Sequence, residues 1–223
     1  MLLPGTVQAA GDGLLGFDTD GIVTAAKAAD FFVRGFRYCI RYVSRVAKQG
    51  PDDLSSAEAL DILNSGLALM PVQHVRDSGW IPSAQLGGSD GVHAVYHAFI
   101  IGFPPGVNVW CDLEGVSQDT PAQLVISYCN SWYDAVAAAG YVPGLYVGAD
   151  AILDGRALRF RLKFTHYWKS LSNVPEIVGR GYQMLQSAEQ TVDGISIDQD
   201  RTQIDLLGDK VLWLAPSLSV VVS

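Results

Sequence analysis

The chain has 223 residues, 49% hydrophobic and 17% charged, with 15 lysines and arginines against 23 acidic residues and a net charge of −8. That length supplies one substantial core, and that composition excludes a disordered chain. The acidic balance excludes a general phosphate-binding surface, so no nucleic-acid partner is expected, and it gives no long-range attraction to an anionic cell wall.

Taken in chain order, the opening Met1-Leu2-Leu3-Pro4-Gly5 lacks a basic segment and a long apolar core, so it does not read as a signal peptide. Eight strand-like runs follow: Leu14–Asp18, Arg37–Val43, Leu67–His74, Val107–Glu114, Val142–Val147, Phe164–Lys169, Tyr182–Gln186 and Ile195–Asp198. Between them the spacing predicts helices over Thr24–Val33, Ser55–Asn64, Asp90–Ile101 and Pro121–Ala139, with short ones near Ala149–Leu153 and Val174–Val178. Ser55 and Glu58 have the spacing of a capping box, and Thr120-Pro121 reads as a cap followed by a first-turn proline. Leu124, Val125, Tyr128, Trp132 and Val136 form an apolar stripe on the helix that ends at Gly140. The apolar stretch Val211–Ser223 is too short and too broken by Pro216 to span a bilayer as a helix; it reads as an extra strand, a docking tail or the start of a removed region.

Alternating strands and helices imply a parallel sheet, and eight repeats imply an α/β (β/α)8 barrel of the TIM type, one domain over 1–223 with its core at about 14–210. Cys39, Cys111 and Cys129 form no disulfide framework or metal motif and read as small buried hydrophobes. His93 and His97 are four apart, but no HExxH accompanies them; with Val92, Val95, Tyr96 and Phe99 as the buried face, both histidines fall on the helix surface. No Gly-x-Ser-x-Gly elbow, P-loop or dinucleotide fingerprint occurs.

Three pairs of acids stand at strand ends: Asp18 and Asp20, Asp112 and Glu114, Asp198 and Asp200. Two-residue spacing directs both members of a pair to one face of a strand. Burying carboxylates is costly, so their concentration at strand ends calls for a function. On a barrel, strands one, four and eight bring all three pairs to one mouth, where active sites of this fold lie.

These residues also carry a family resemblance. Gly16-Phe17-Asp18, Tyr38-Cys39-Ile40-Arg41-Tyr42, Gly66-Leu67 leading to Pro71-Val72, Asp112-Leu113-Glu114, Gly140-Tyr141 with Gly144-Leu145-Tyr146, Trp168-Lys169-Ser170, Gln186 and Asp198 resemble, in order and spacing, the bacterial glycoside-hydrolase-like domains of the Rv2525c-like type. Those are similar to the family 25 lysozymes, barrels that cut peptidoglycan between N-acetylmuramic acid and N-acetylglucosamine. The resemblance implies that Glu114 is the general acid and that Asp112 stabilises charge or orients the acetamido group. It matches Asp18 and Asp198 to the first- and last-strand aspartates, with Asp200 as the alternative to Asp198. Where those lysozymes usually show Trp-Gln-Tyr, this chain has Met184-Leu185-Gln186-Ser187.

Glycoside cleavage needs a proton donor at the leaving oxygen and negative charge beside the oxocarbenium-like carbon. Asp112 and Asp18 are expected to raise the pKa of Glu114 by like-charge repulsion, keeping it an acid near neutral pH. Tyr38, Tyr42, Tyr146 and Trp168 are candidate walls for sugar faces, against the plain reading that they pack the barrel. Arg41, His74, Gln186, Asp20 and Asp200 are candidate substrate contacts; Arg41 also reads as a partner for a carboxylate or a surface charge, and His74 as a structural histidine. The expected partner is peptidoglycan or a related glycan, with no cofactor and no metal, acting outside the cell or in its envelope after export or lysis. Two other readings stay open: a noncatalytic glycan-binding barrel, and a metal-dependent hydrolase built on the same acids, which chelator sensitivity would separate.

Overall fold

A computed structural model describes residues 2–217. Its elements are β1 (Thr6–Ala9), β2 (Leu15–Thr19), α1 (Ala25–Val33), β3 (Tyr38–Val43), α2 (Ser56–Asn64), β4 (Ala68–Gln73), α3 (Ala84–Ile101), β5 (Asn108–Leu113), α4 (Ala122–Ala138), β6 (Val142–Val147), α5 (Gly155–Phe160), β7 (His166–Lys169), β8 (Met184–Val192), β9 (Ile195–Thr202) and β10 (Leu212–Ala215). Strands β2 to β9 close into an eight-stranded barrel through the β4–β5 pairing. All eight expected strands are present, and the α/β barrel stands.

Closure differs from eight identical repeats. From β2 to β8 neighbours run parallel, but β9 is antiparallel to both β8 and β2. The cause is local. Asp193 and Gly194 both have positive φ, 48° and 74°, and Val192 pairs with Ile195 across them. A two-residue turn with both φ values positive matches the twist of antiparallel strands. The chain therefore folds back at once, and no helix separates β8 from β9. β8 is also longer than its predicted Tyr182–Gln186 span.

Two short helices expected late in the chain are absent. Asp150 and Ile152 take positive φ, 57° and 66°, which breaks a helix at 149–153; the helix forms instead at Gly155–Phe160, capped by Asp154. Residues 174–178 are irregular. Thr120 does not cap α4: Pro121 is the N-cap residue, with no side-chain cap bond. The Ser55 cap is real, accepting from the Glu58 amide, but Glu58 does not reciprocate; its carboxylate goes to Arg41 and the Val23 amide.

Helix α3 corrects a larger expectation. It begins at Ala84, capped by Ser83, six residues before the predicted start, and it is rotated from its predicted orientation. Val92, Tyr96 and Phe99 are exposed, whereas His97 is fully buried, its Nε2 2.6 Å from the Val46 carbonyl. The inward stripe is Gly87, Gly91, Ala94 and Ala98. A Cβ at Gly87 would overlap the Tyr128 backbone of α4, and one at Gly91 would lie 2.8 Å from the Trp132 carbonyl. Close helix contact requires small residues, and that requirement overrides the larger apolar stripe. On α4, Val125, Tyr128, Trp132 and Val136 are buried as expected, and Leu124 is partly exposed.

The barrel interior is layered. Tyr38, Trp110 and Trp168 are fully buried, with Trp110 and Trp168 edge to face at 5.9 Å. Facing positions are glycine: a Cβ at Gly16 would overlap the Tyr38 ring, and one at Gly144 the Trp110 ring. Beneath this floor, β1 and β10 pair antiparallel, and β10 meets β4 at Leu214–Leu69 while the Leu212 amide donates to Asn108 Oδ1 at 2.6 Å. So Leu212–Ala215 is an extra strand plugging the lower end of the barrel; residues 218–223 of the apolar tail lie outside the described residues. Cys39, Cys111 and Cys129 are buried and unpaired.

Candidate active site

The acidic pairs converge at the other end. Asp18 lies opposite Asp198 in the β2–β9 register, and Asp200 lies opposite Gly16 one layer deeper. Because β9 runs antiparallel, its beginning rather than its end reaches the mouth, so Asp198 is the acid at the rim and Asp200 the one in the floor. Asp18, Asp20, Asp112, Glu114 and Asp198 line a cavity of about 250 Å³, together with Glu189, Tyr42 and His74.

Each acid has a distinct setting. Asp18 is 3% exposed, accepts from Gln186 Nε2 at 3.1 Å and, at 3.4 Å, from the Tyr42 hydroxyl. Burial and then the charge of Asp198 push its pKa up to about 7, against the pull of those donors. Gln186 Nε2 also reaches Asp198 at 2.9 Å, so one amide bridges two carboxylates; its Oε1 accepts from Tyr146 at 3.1 Å and from the Leu171 amide at 3.2 Å. The Leu171 amide, which can only donate, fixes which end of the side-chain amide faces the acids. Asp112 is 5% exposed, its Oδ1 has no partner, and burial followed by repulsion from Glu114 and Asp18 raises its pKa well above the carboxylate range. Asp200 is fully buried, accepts from Trp168 Nε1 at 2.8 Å, and is likewise raised by burial and by Asp18.

Glu114 follows the end of β5. Its pKa is raised first by burial and then by Asp198, while its repulsion with Asp112 is felt at Asp112. Two residues that carried no sequence signal shape its position. Trp80 donates its Nε1 to the Glu114 carbonyl at 2.8 Å. Gly148 leaves room for the side chain, since a Cβ there would overlap Glu114. Glu189 was also missed, because β8 was expected to stop at Gln186; the bulge between Gln186 and Ala188 carries β8 on to Glu189, opposite Asp198.

Other candidates are placed elsewhere. Arg41 is fully buried and turned away from the cavity: it bonds Glu58 at 2.7 Å and the carbonyls of Thr19 at 2.5 Å and Asp52 at 2.7 Å. It anchors the end of β2 and so positions Asp18 and Asp20 instead of meeting substrate. Tyr38 and Trp168 are floor, not wall. Tyr146 is 8% exposed and acts through Gln186. His74 stays at the rim, stacked on Tyr42 at 4.7 Å with Nε2 2.8 Å from Asp53. Asp20 is exposed at the rim.

With this geometry in hand, residues 29–209 match the Rv2525c-like, glycoside hydrolase-like domain. The chain belongs to this family. No curated protein matches it by sequence. Among solved structures, the Tat-secreted protein Rv2525c of Mycobacterium tuberculosis superposes with a TM-score of 0.66 at 18% identity, over 86% of this chain and 96% of that one. The bacterial lysozyme of Streptomyces coelicolor gives 0.60 at 13%, over 86% and 93%. A family 25 glycosyl hydrolase from Bacillus anthracis gives 0.55 at 12%, over 85% and 88%. At these identities the likeness is one of fold. Among the described residues no helix is long and apolar enough to cross a membrane.

Proposed function

We propose that this glycoside-hydrolase-like domain is an active glycosidase that cleaves the glycan strands of peptidoglycan, outside the cell or in its envelope. The observation that carries the reading is Glu114: a half-buried carboxyl lining the cavity, with its pKa raised by burial and by Asp198. A raised carboxyl is protonated at higher pH than an ordinary glutamate, which is what donation to a leaving oxygen requires, and such donation contributes about 10²–10⁴-fold. Asp198, bridged to Asp18 by Gln186, supplies negative charge across the cavity for an oxocarbenium-like centre. Asp112, with an unmet acceptor, takes a donor from the substituent at sugar C2. The lysozyme among the structural neighbours supports peptidoglycan as the substrate class.

The test is incubation of wild type and Glu114→Gln with purified peptidoglycan, native and chemically de-N-acetylated, scoring new reducing ends by mass spectrometry. Cleavage by wild type, reduced about 10²-fold or more in the variant, is the expected result. No new ends from wild type on either glycan sinks the glycosidase reading for this polymer.

A further inference from the structure

We infer that the sugar held in this cavity carries a free, protonated amino group, so that the preferred glycan is de-N-acetylated. The inference rests on the glycosidase reading for the position of the sugar and deepens it by naming the substituent.

Six carboxylates line the cavity: Asp18, Asp20, Asp112, Glu114, Glu189 and Asp198. No lysine or arginine is among the lining residues, and the one lining group able to carry a positive charge, His74, is engaged by Asp53. Arg41, a buried cation below the rim, is committed to Glu58. Burial and mutual repulsion raise the pKa of Asp18, Asp112, Glu114 and Asp198, and the protein supplies no cation to hold them ionised; a cation brought by the ligand does so, and cleft walls focus the field between them. A neutral acetamido group satisfies one acceptor and leaves that field unchanged. An ammonium brings three donors and a charge of the missing sign.

Asp112 supplies the independent sign of a ligand. It is 5% exposed, it lines the cavity, and its Oδ1 has no hydrogen-bond partner. A buried acceptor left unmet costs free energy until a donor arrives. A metal ion fits this arrangement poorly, because among the described residues no three acidic, histidine or cysteine side chains converge closely enough to ligate one. Carboxylates spread around a cavity of about 250 Å³ suit a cation delivered on a sugar ring. That volume lies below the roughly 300–1,000 Å³ of drug-sized ligand sites, so a single saccharide unit is the natural occupant.

The test measures binding alone, using Glu114→Gln protein and isothermal titration calorimetry. The probes are a glucosamine tetrasaccharide and an N-acetylglucosamine tetrasaccharide, each at low salt and at about 1 M salt, where the Debye length is about 3 Å. The expected result is about tenfold tighter binding of the glucosamine form at low salt. That advantage should shrink at high salt, and again when Glu189→Gln is added at the exposed rim, where folding is not at stake. Equal or tighter binding of the N-acetylated form, no binding of the glucosamine form, or a preference indifferent to both salt and Glu189→Gln overturns the inference. The two readings fail separately. Cleavage of native peptidoglycan combined with preference for the N-acetylated tetrasaccharide removes only the amino-sugar inference. An ammonium preference without cleavage of either polymer removes only the glycosidase reading.

Discussion

Asp18 shows how one residue trades stability for a site. Burial and the neighbouring Asp198 raise its pKa from 3.8 to about 7. Folding therefore favours the neutral form. That contribution is fully present below about pH 4 and is lost as pH rises through about 7, where the carboxylate must be buried charged. Asp18→Asn keeps the neutral form at every pH. Its carbonyl retains the Gln186 donor, and its NH2 displaces the long Tyr42 contact. The variant should be more stable than wild type by about 1–3 kcal/mol at pH 8 and nearly equal at pH 4, read from denaturant midpoints at the two pH values. An identical difference at both would show that the burial of this charge is not what strains the fold. Tighter folding with lost turnover is the expected signature of an acid kept for function.

Helices and strands were legible wherever one local signal dominated. Ser55 marks a real cap, accepting from the Glu58 amide, and the alternating runs mark real strands. Errors arose where two signals competed. In α3 the large apolar residues Val92, Tyr96 and Phe99 outweigh the glycines on any hydropathy scale, yet the helix turns its small face inward because α4 approaches too closely for anything else. Paired glycines in that helix give opposite expectations. At Gly87 a methyl meets the Tyr128 backbone; at Gly88 it meets nothing within 4 Å. Gly88→Ala should stabilise by about 0.5–1 kcal/mol through helix propensity, while Gly87→Ala should destabilise by about 1–3 kcal/mol through overpacking. Thermal melts of the two variants check this; the same sign at both positions would mean that α3 and α4 do not pack as described. The Asp193-Gly194 turn was a readable hairpin signal, and it reverses the direction of the last barrel strand.

At the scale of the whole molecule, the barrel separates its stabilising end from its chemical end. The lower end is closed by β10, whose Leu214 is fully buried against β4, and the upper end holds the acids. Leu214→Ala should cost about 2–5 kcal/mol of stability. Oligosaccharide affinity, measured below the melting range by calorimetry, should stay within about twofold of wild type, the spread expected of distant sites. A large loss of affinity in a folded variant would show that the floor of Tyr38, Trp110 and Trp168 transmits strain from plug to pocket.

By itself the sequence determined the eight barrel strands, the four long helices between them, the closed α/β barrel, and the three strands that bring their acids to one mouth, because strand alternation, helical spacing and carboxylates near strand ends are local properties. The tertiary structure decided which acid of the last pair faces the cavity. Antiparallel β9 sets Asp198 at the rim and Asp200 in the floor against Trp168. It also decided that Arg41 is spent on Glu58, that Gln186 bridges Asp18 and Asp198, and that Trp80 and Gly148 position Glu114. Each of these depends on contacts between residues distant in the chain, and their burial and register are what move the carboxyl pKa values on which the chemistry depends.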